Sequence, residues 1–130
     1  MVMDRSENMR RIRSKNSKPE MLVRRLVFSM GYRYRIHYTR LPGNPDLVFP
    51  VRRKAIFVHG CFWHRHPGCK YATTPKSNQE FWEPKFERNQ VRDQEVQTAL
   101  KGEGWKTMVI WECETRNEEK LRKRIQRFLG

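Results

Sequence analysis

Cys61-Phe62-Trp63-His64-Arg65-His66-Pro67-Gly68-Cys69 places two of the chain's three cysteines and two of its four histidines within nine residues. Thiols and imidazoles packed this densely can build a metal site, a proton-transfer site, or both. Cys61, Cys69, one or both of His64 and His66, and Cys113 could together supply four tetrahedral ligands. That donor set suits zinc, and a site made only of protein ligands is structural rather than catalytic. The spacing is not that of a common finger, and the plain alternative for Cys113 is a small buried apolar residue at a strand end. Phe62 and Trp63 are out of place in a polar loop unless something flat and apolar receives them. A wedge inserted between base steps is one such use, to be set against simple core packing.

A second constellation starts at Pro45-Asp46, a turn leading into a strand, with His59 following 13 residues later at the end of the next strand. A carboxylate there could bind Mg²⁺, which takes few protein ligands, with Glu20 hydrogen-bonding the waters around it. Asp after Pro is equally at home as an ordinary turn residue. A third is the stripe Phe86, Asn89, Asp93, Val96, Leu100, spaced 3, 4, 3 and 4. If Val96 and Leu100 face a core, Asn89 and Asp93 face inward too and need partners. A histidine oriented by Asp93 makes a good general base, because the carboxylate fixes its tautomer and raises its basicity. The alternative is an Asp93 paired with Arg88 or Arg92 on a solvated face.

The elements that must position these groups follow from periodicity. Ser17-Lys18-Pro19-Glu20 has capping-box spacing, and Leu22, Val23, Leu26, Val27 and Met30 predict a helix over about 18–30. Tyr32, Tyr34, Ile36 and Tyr38 alternate with polar residues and predict a half-buried strand. Strands are also expected at 46–49, 55–58 and 105–111. Helices are expected over 80–101, with Pro84 a point of bending, and over 117–129 with a stripe of Leu121, Ile125, Phe128 and Leu129. Helix, three strands, helix, strand, helix implies an α/β fold: a mixed central sheet flanked by helices.

The 130 residues suit one domain, with 1–16 as a basic arm ahead of a unit over 17–130. Lys and Arg number 28 against 14 Asp and Glu, a net charge of +14 that attracts polyanions, since each neutralised phosphate releases counterions. No apolar run approaches a membrane span and no secretory signal is visible, so the expectation is a cytoplasmic, nucleoid-associated protein with no membrane partner. An odd cysteine count in a reducing compartment favours metal binding over disulfides.

Taken together these residues resemble the very-short-patch repair (Vsr) endonucleases. The likeness runs through Met9, Glu20, Leu41-Pro42-Gly43-Asn44-Pro45-Asp46, Ile56-Phe57-Val58-His59-Gly60-Cys61-Phe62-Trp63-His64, Phe81-Trp82, Asn89 to Asp93, Gly104-Trp105 and Val109-Ile110-Trp111-Glu112-Cys113. The resemblance implies a restriction-endonuclease-like fold, a variant of the PD-(D/E)xK class. It implies a Mg²⁺-dependent nick 5′ of the thymine in T·G-mismatched double-stranded DNA, the product of 5-methylcytosine deamination. Asp46 and the Val58 carbonyl would hold Mg²⁺, and His64 would be the general base, oriented by Asp93. Glu20 and His59 would assist through waters around the metal and through the scissile phosphate. Cys61, His66, Cys69 and Cys113 would be the structural zinc ligands, Phe62, Trp63 and Trp82 the aromatic wedge, and Met9 the residue entering from the opposite groove. The expected state is a monomer, with other mismatch-repair proteins admitted as partners.

Two departures stand out. Val58 replaces an expected threonine, where only a carbonyl is needed, and the loop from His64 to Cys69 is about one residue short, which shifts Cys69 relative to His66. Relatives of this fold often carry Glu-x-Lys where this chain has Phe57-Val58-His59. The competing readings are a zinc-stabilised, non-catalytic module for distorted duplex and a related nuclease with another substrate.

Overall fold

A computed structural model describes residues 17–62, 64–69 and 79–130, with only the backbone of Gln79 and Glu80. The basic arm with Met9, and Trp63, lie outside the described residues.

Helix α1, Lys18–Ser29, begins as its capping signal predicts: the Ser17 hydroxyl accepts the Glu20 N–H at 3.4 Å, and Pro19 sits in the first turn, where no N–H is needed. It stops where Gly31 takes φ +95° and Tyr32 donates its N–H back to Val27 O at 3.3 Å. Strand β1, Leu47–Phe49, pairs antiparallel with β2, Lys54–His59, through the register Leu47↔Ile56. Helix α2, Gln79–Gly102, then leads to β3, Lys106–Trp111, which pairs parallel with β2 in the register Ile56↔Met108. A 3₁₀ turn, Glu112–Arg116, precedes α3, Glu118–Leu129, capped by Asn117 accepting from Lys120 N–H at 3.1 Å. The sheet is three-stranded and mixed, in the order β1-β2-β3.

Two-residue alternation sorts the sheet's side chains onto two covered faces. Leu47, Phe49, Ile56, Met108 and Ile110 meet Val23, Leu26 and Val27 of α1 and Leu121, Ile125 and Leu129 of α3. Val48 and Phe57 point the other way, into a smaller cluster with Leu41 and Leu100, against which Val96 and Val109 pack. The same parity carries Asp46, two before Val48, and His59, two after Phe57, to the α2 side. Two cations close the end of α3: Arg52 Nη1 and Lys54 Nζ donate to the carbonyls of Leu129 and Phe128 at 2.6 and 2.5 Å.

The predicted strand over Tyr32–Tyr38 reduces to one bridge, Arg35↔Val48, with both N–H···O contacts at 2.9 Å. His37 takes φ +55°, a left-handed conformation that no ladder can continue, and Ile36 is turned outward. The predicted helix over 117–129 starts one residue later because Asn117 is its cap, and the last strand starts at Lys106 because Trp105, beyond the end of α2, donates its N–H back to Leu100 O at 3.0 Å. Among the described residues no helix is long and apolar enough to cross a membrane.

Candidate active site

The loop leaving β2 coils through two overlapping turns, His64 N–H to Gly60 O at 3.1 Å and His66 N–H to Cys61 O at 3.0 Å. These turns divide its chemistry between two places. In the first, one donor atom each from Cys61, His66, Cys69 and Cys113 lie within 4.8 Å of one another. His66 Nδ1 is 3.7 Å from Cys61 Sγ and 3.5 Å from Cys113 Sγ. A tetrahedral ion with ligand bonds of ~2.0–2.3 Å needs donor separations of about 3.5 Å, so the residues fit such an ion. Cys69 belongs to the set. Burial pushes the Cys61 thiol up to about 12 and raises that of Cys113 as well. A bound cation reverses that cost, because the ligands bind as thiolates.

The second place is a cavity of about 200 Å³ between the end of β2, the turn before β1 and helix α2, lined by Asp46, Val58, His59, His64, Asn89, Arg92, Asp93 and Gln97 among others. His64 Nδ1 lies 2.5 Å from Asp93 Oδ2, so Asp93 pairs with the loop histidine and not with Arg88 or Arg92. With Nδ1–H donated to the carboxylate, Nε2 is left with its lone pair, the tautomer of a general base. His59 stacks on His64, ring centroids 3.8 Å apart and planes within 7°. Their nitrogens and Asp93 are close enough to suggest a metal. An imidazole lone pair lies in its ring plane, however, and two parallel planes this far apart cannot aim at one ion. Burial first, then the neighbouring His64, holds His59 down to about 4 against the opposing pull of Asp93, so it is neutral at pH 7.

Asp46 Oδ2 accepts the Val58 N–H at 2.7 Å. In an extended strand a residue's N–H and C=O face the same edge, so the Val58 carbonyl emerges beside Asp46. Glu20, buried on α1, hydrogen-bonds Asp46 and is ion-paired to Arg24 at 3.1 Å. Burial, reinforced by Glu20, pushes the Asp46 carboxyl up to about 8, against Val58 and Arg24, which pull it down. Two buried carboxyls brought together fit a hard divalent cation with few protein ligands. Gly43 fixes the turn that presents Asp46: it takes φ +75°, and a Cβ there would lie 2.4 Å from Val96 Cγ1 of α2.

Phe62 meets Trp82 and Phe86 edge-on at 5.7 and 5.1 Å. Trp82 is only 5% exposed, whereas Phe81 is 45% exposed and stands against it at 5.0 Å. The sequence reading assigned Phe81, Phe86 and Arg65 no place in this cluster, although Arg65 lies 4.3 Å over the Phe86 ring. It also missed Trp111, read only as a strand residue. Trp111 stacks with His66 at 4.2 Å and meets His59 at 5.3 Å in a T, so it touches both sets of imidazoles. Parity alone could have found it, since Trp111 is paired with His59 across the sheet.

The sequence profile of the family described as DNA mismatch endonuclease Vsr matches residues 2–70. The type II nicking enzyme V.XorIIP of Xanthomonas oryzae pv. oryzae is 50% identical over 93% of this chain and 88% of its own length. The chain belongs to the Vsr family of DNA mismatch endonucleases. Other Vsr-family relatives include the type II nicking enzyme V.NmeAIP of Neisseria meningitidis, 42% identical over 96% of this chain and 89% of that protein. DNA mismatch endonuclease Vsr of Escherichia coli is 38% identical over 90% of this chain and 74% of that protein. Among solved structures, the homing endonuclease I-Bth0305I catalytic domain superposes with a TM-score of 0.59 at 19% identity, covering 87% of this chain and 94% of that one. The fold is therefore restriction-endonuclease-like, with a Cys/His cluster that could hold a metal.

Proposed function

We propose that the protein nicks one strand of double-stranded DNA 5′ of the thymine in a T·G mismatch, with Mg²⁺ as catalytic cofactor and Zn²⁺ as a structural one. The observation that carries this is the His64–Asp93 pair, opening on the same cavity as the Asp46 carboxylate. His64 accepts a proton from the attacking water at Nε2 while Asp93 stabilises the imidazolium that results. Neutral His59 is set to donate an N–H to the scissile phosphate, and Glu20 orients solvent next to Asp46. Held by Asp46 and the Val58 carbonyl, Mg²⁺ supplies polarisation of the phosphoryl oxygens and offsets the charge that develops on them. Held by Cys61, His66, Cys69 and Cys113, Zn²⁺ supplies folding energy.

Specificity is assigned to the aromatic cluster. A wobble pair unstacks more easily than a Watson–Crick pair, so Phe62, Trp63 and Trp82 pay less to wedge at the lesion, with Met9 of the 1–16 arm entering from the other groove. Trp82 is buried in the free chain, so the cluster must open for it to take part. Residues 17–130 act as one monomeric endonuclease domain in the cytoplasm.

The test uses purified protein with Mg²⁺ and duplexes labelled on each strand in turn, one with a single T·G pair and one fully paired. A nick confined to the T strand beside the mismatch is the expected result. Binding without cutting across several metals and contexts would instead favour a non-catalytic module, and cutting only at another lesion a nuclease of different substrate.

A further inference from the structure

The active-site cavity has an electrostatic problem. Asp46 and Asp93 line it, Glu20 adjoins Asp46, and the substrate assigned to it is itself an anion. Among the described residues lining the cavity, one carries a permanent positive charge: Arg92. It is exposed, and no carboxylate of the described residues pairs with it. Asp93 follows it directly, but successive helix residues point in different directions and Asp93 is committed to His64. A buried cation nearby, Arg24, is committed to Glu20. Arg92 thus brings an uncompensated guanidinium to the rim of a site otherwise dominated by acids.

We propose that Arg92 is a further catalytic residue, whose guanidinium grips a non-bridging oxygen of the scissile phosphodiester; this rests on the nicking activity assigned above. A planar fork of N–H donors matches phosphate oxygens and keeps its charge at any working pH. Charge grows on those oxygens as water attacks, so the contact strengthens towards the transition state and acts on rate more than on affinity. Its place on α2 gives it precision: the clamp and the residue that orients the base are neighbours on one rigid helix, held against the Asp46 turn by Val96 packing on Gly43.

The experiment has two readouts on the full-length chain. In single-turnover nicking of T·G duplex with Mg²⁺, Arg92→Gln is expected to lower the rate about 100-fold. Arg92→Lys should recover part of that loss, since it restores charge without the fork. Arg122→Gln, on α3 at the groove between α1 and α3, should keep the wild-type rate. The second readout needs no cutting: affinity without divalent ions for a duplex whose scissile phosphate is a neutral methylphosphonate. Neutralising the phosphate should cost wild type about tenfold more affinity than it costs Arg92→Gln, in which only the repulsion by the acids is relieved. An Arg92→Gln protein that feels the methylphosphonate as strongly as wild type overturns the assignment, as does one that nicks at the wild-type rate. Failure of the wild type to nick any duplex strikes the activity reading instead, and the binding comparison still decides Arg92.

Discussion

Cys61 and His66 turn their donor atoms into a cluster with Cys69 and Cys113, whereas His64, between them in sequence, turns to Asp93 and an open cavity. The cluster is closed, with four protein donors gathered within 4.8 Å of one another. The cavity is unfinished: carboxylates pushed together, a depressed histidine and a lone cation. One nine-residue loop supplies both, and the difference shows how a short segment can be anchored tightly at some positions so that another is held ready for chemistry. The closed region spends its polar groups on rigidity, and the open one keeps them in tension.

The comparison breaks most completely if the anchor is removed. Cys113→Ser is expected to release bound zinc and lower the melting temperature sharply, with nicking lost along with the fold. Unchanged zinc content and melting temperature would mean that the cluster is not the anchor. Asp46→Ala should do the reverse. Nicking falls by roughly 10³-fold or more while zinc content holds and thermal stability holds or rises, because a buried carboxyl forced up to about 8 is a cost to the fold. A stable variant that still nicks would exclude Asp46 from the reaction.

Asp93→Asn keeps the shape but favours the wrong His64 tautomer, so the expected loss is about 10²-fold in rate with little change in melting temperature. Gly43→Ala tests whether the cavity's two walls are held by contact. Strain at φ +75° and the collision with Val96 should cost about 2 kcal/mol, read by denaturant titration, and Val96→Ala should recover the part due to collision. Smallest is Phe62→Ala, expected to reduce discrimination between T·G and paired duplex roughly fivefold; equal loss on both substrates would assign the ring to packing alone.

Much of this architecture was legible in the chain. The order of helices and strands predicted a mixed sheet flanked by helices, and the 3-4-3-4 stripe on α2 offered an inward Asp93 in need of a partner. Spacing could not divide His64 from His66, because two imidazoles two residues apart serve either site equally until the turns of the loop are known. The bridge at Arg35 was overestimated as a strand because alternating tyrosines look the same whether or not His37 leaves the extended region. The 3₁₀ turn carrying Cys113 was invisible for another reason. The Glu114–Arg124 ion pair at 2.6 Å, which fastens it to α3, is a tertiary contact with no local signature. Trp111 and Arg92 gain their meaning in the same way, from neighbours remote in sequence.

The two overlapping turns from Gly60 to His66 also set rules for how this lineage can vary. A residue inserted anywhere between Cys61 and His66 would rotate the histidines out of phase with their separate destinations. After His66 the chain reaches Cys69 through a looser bend, with a single 3.3 Å backbone bond and Gly68 at φ +70°. Changes of length should therefore be tolerated between His66 and Cys69 and not in the five steps before His66.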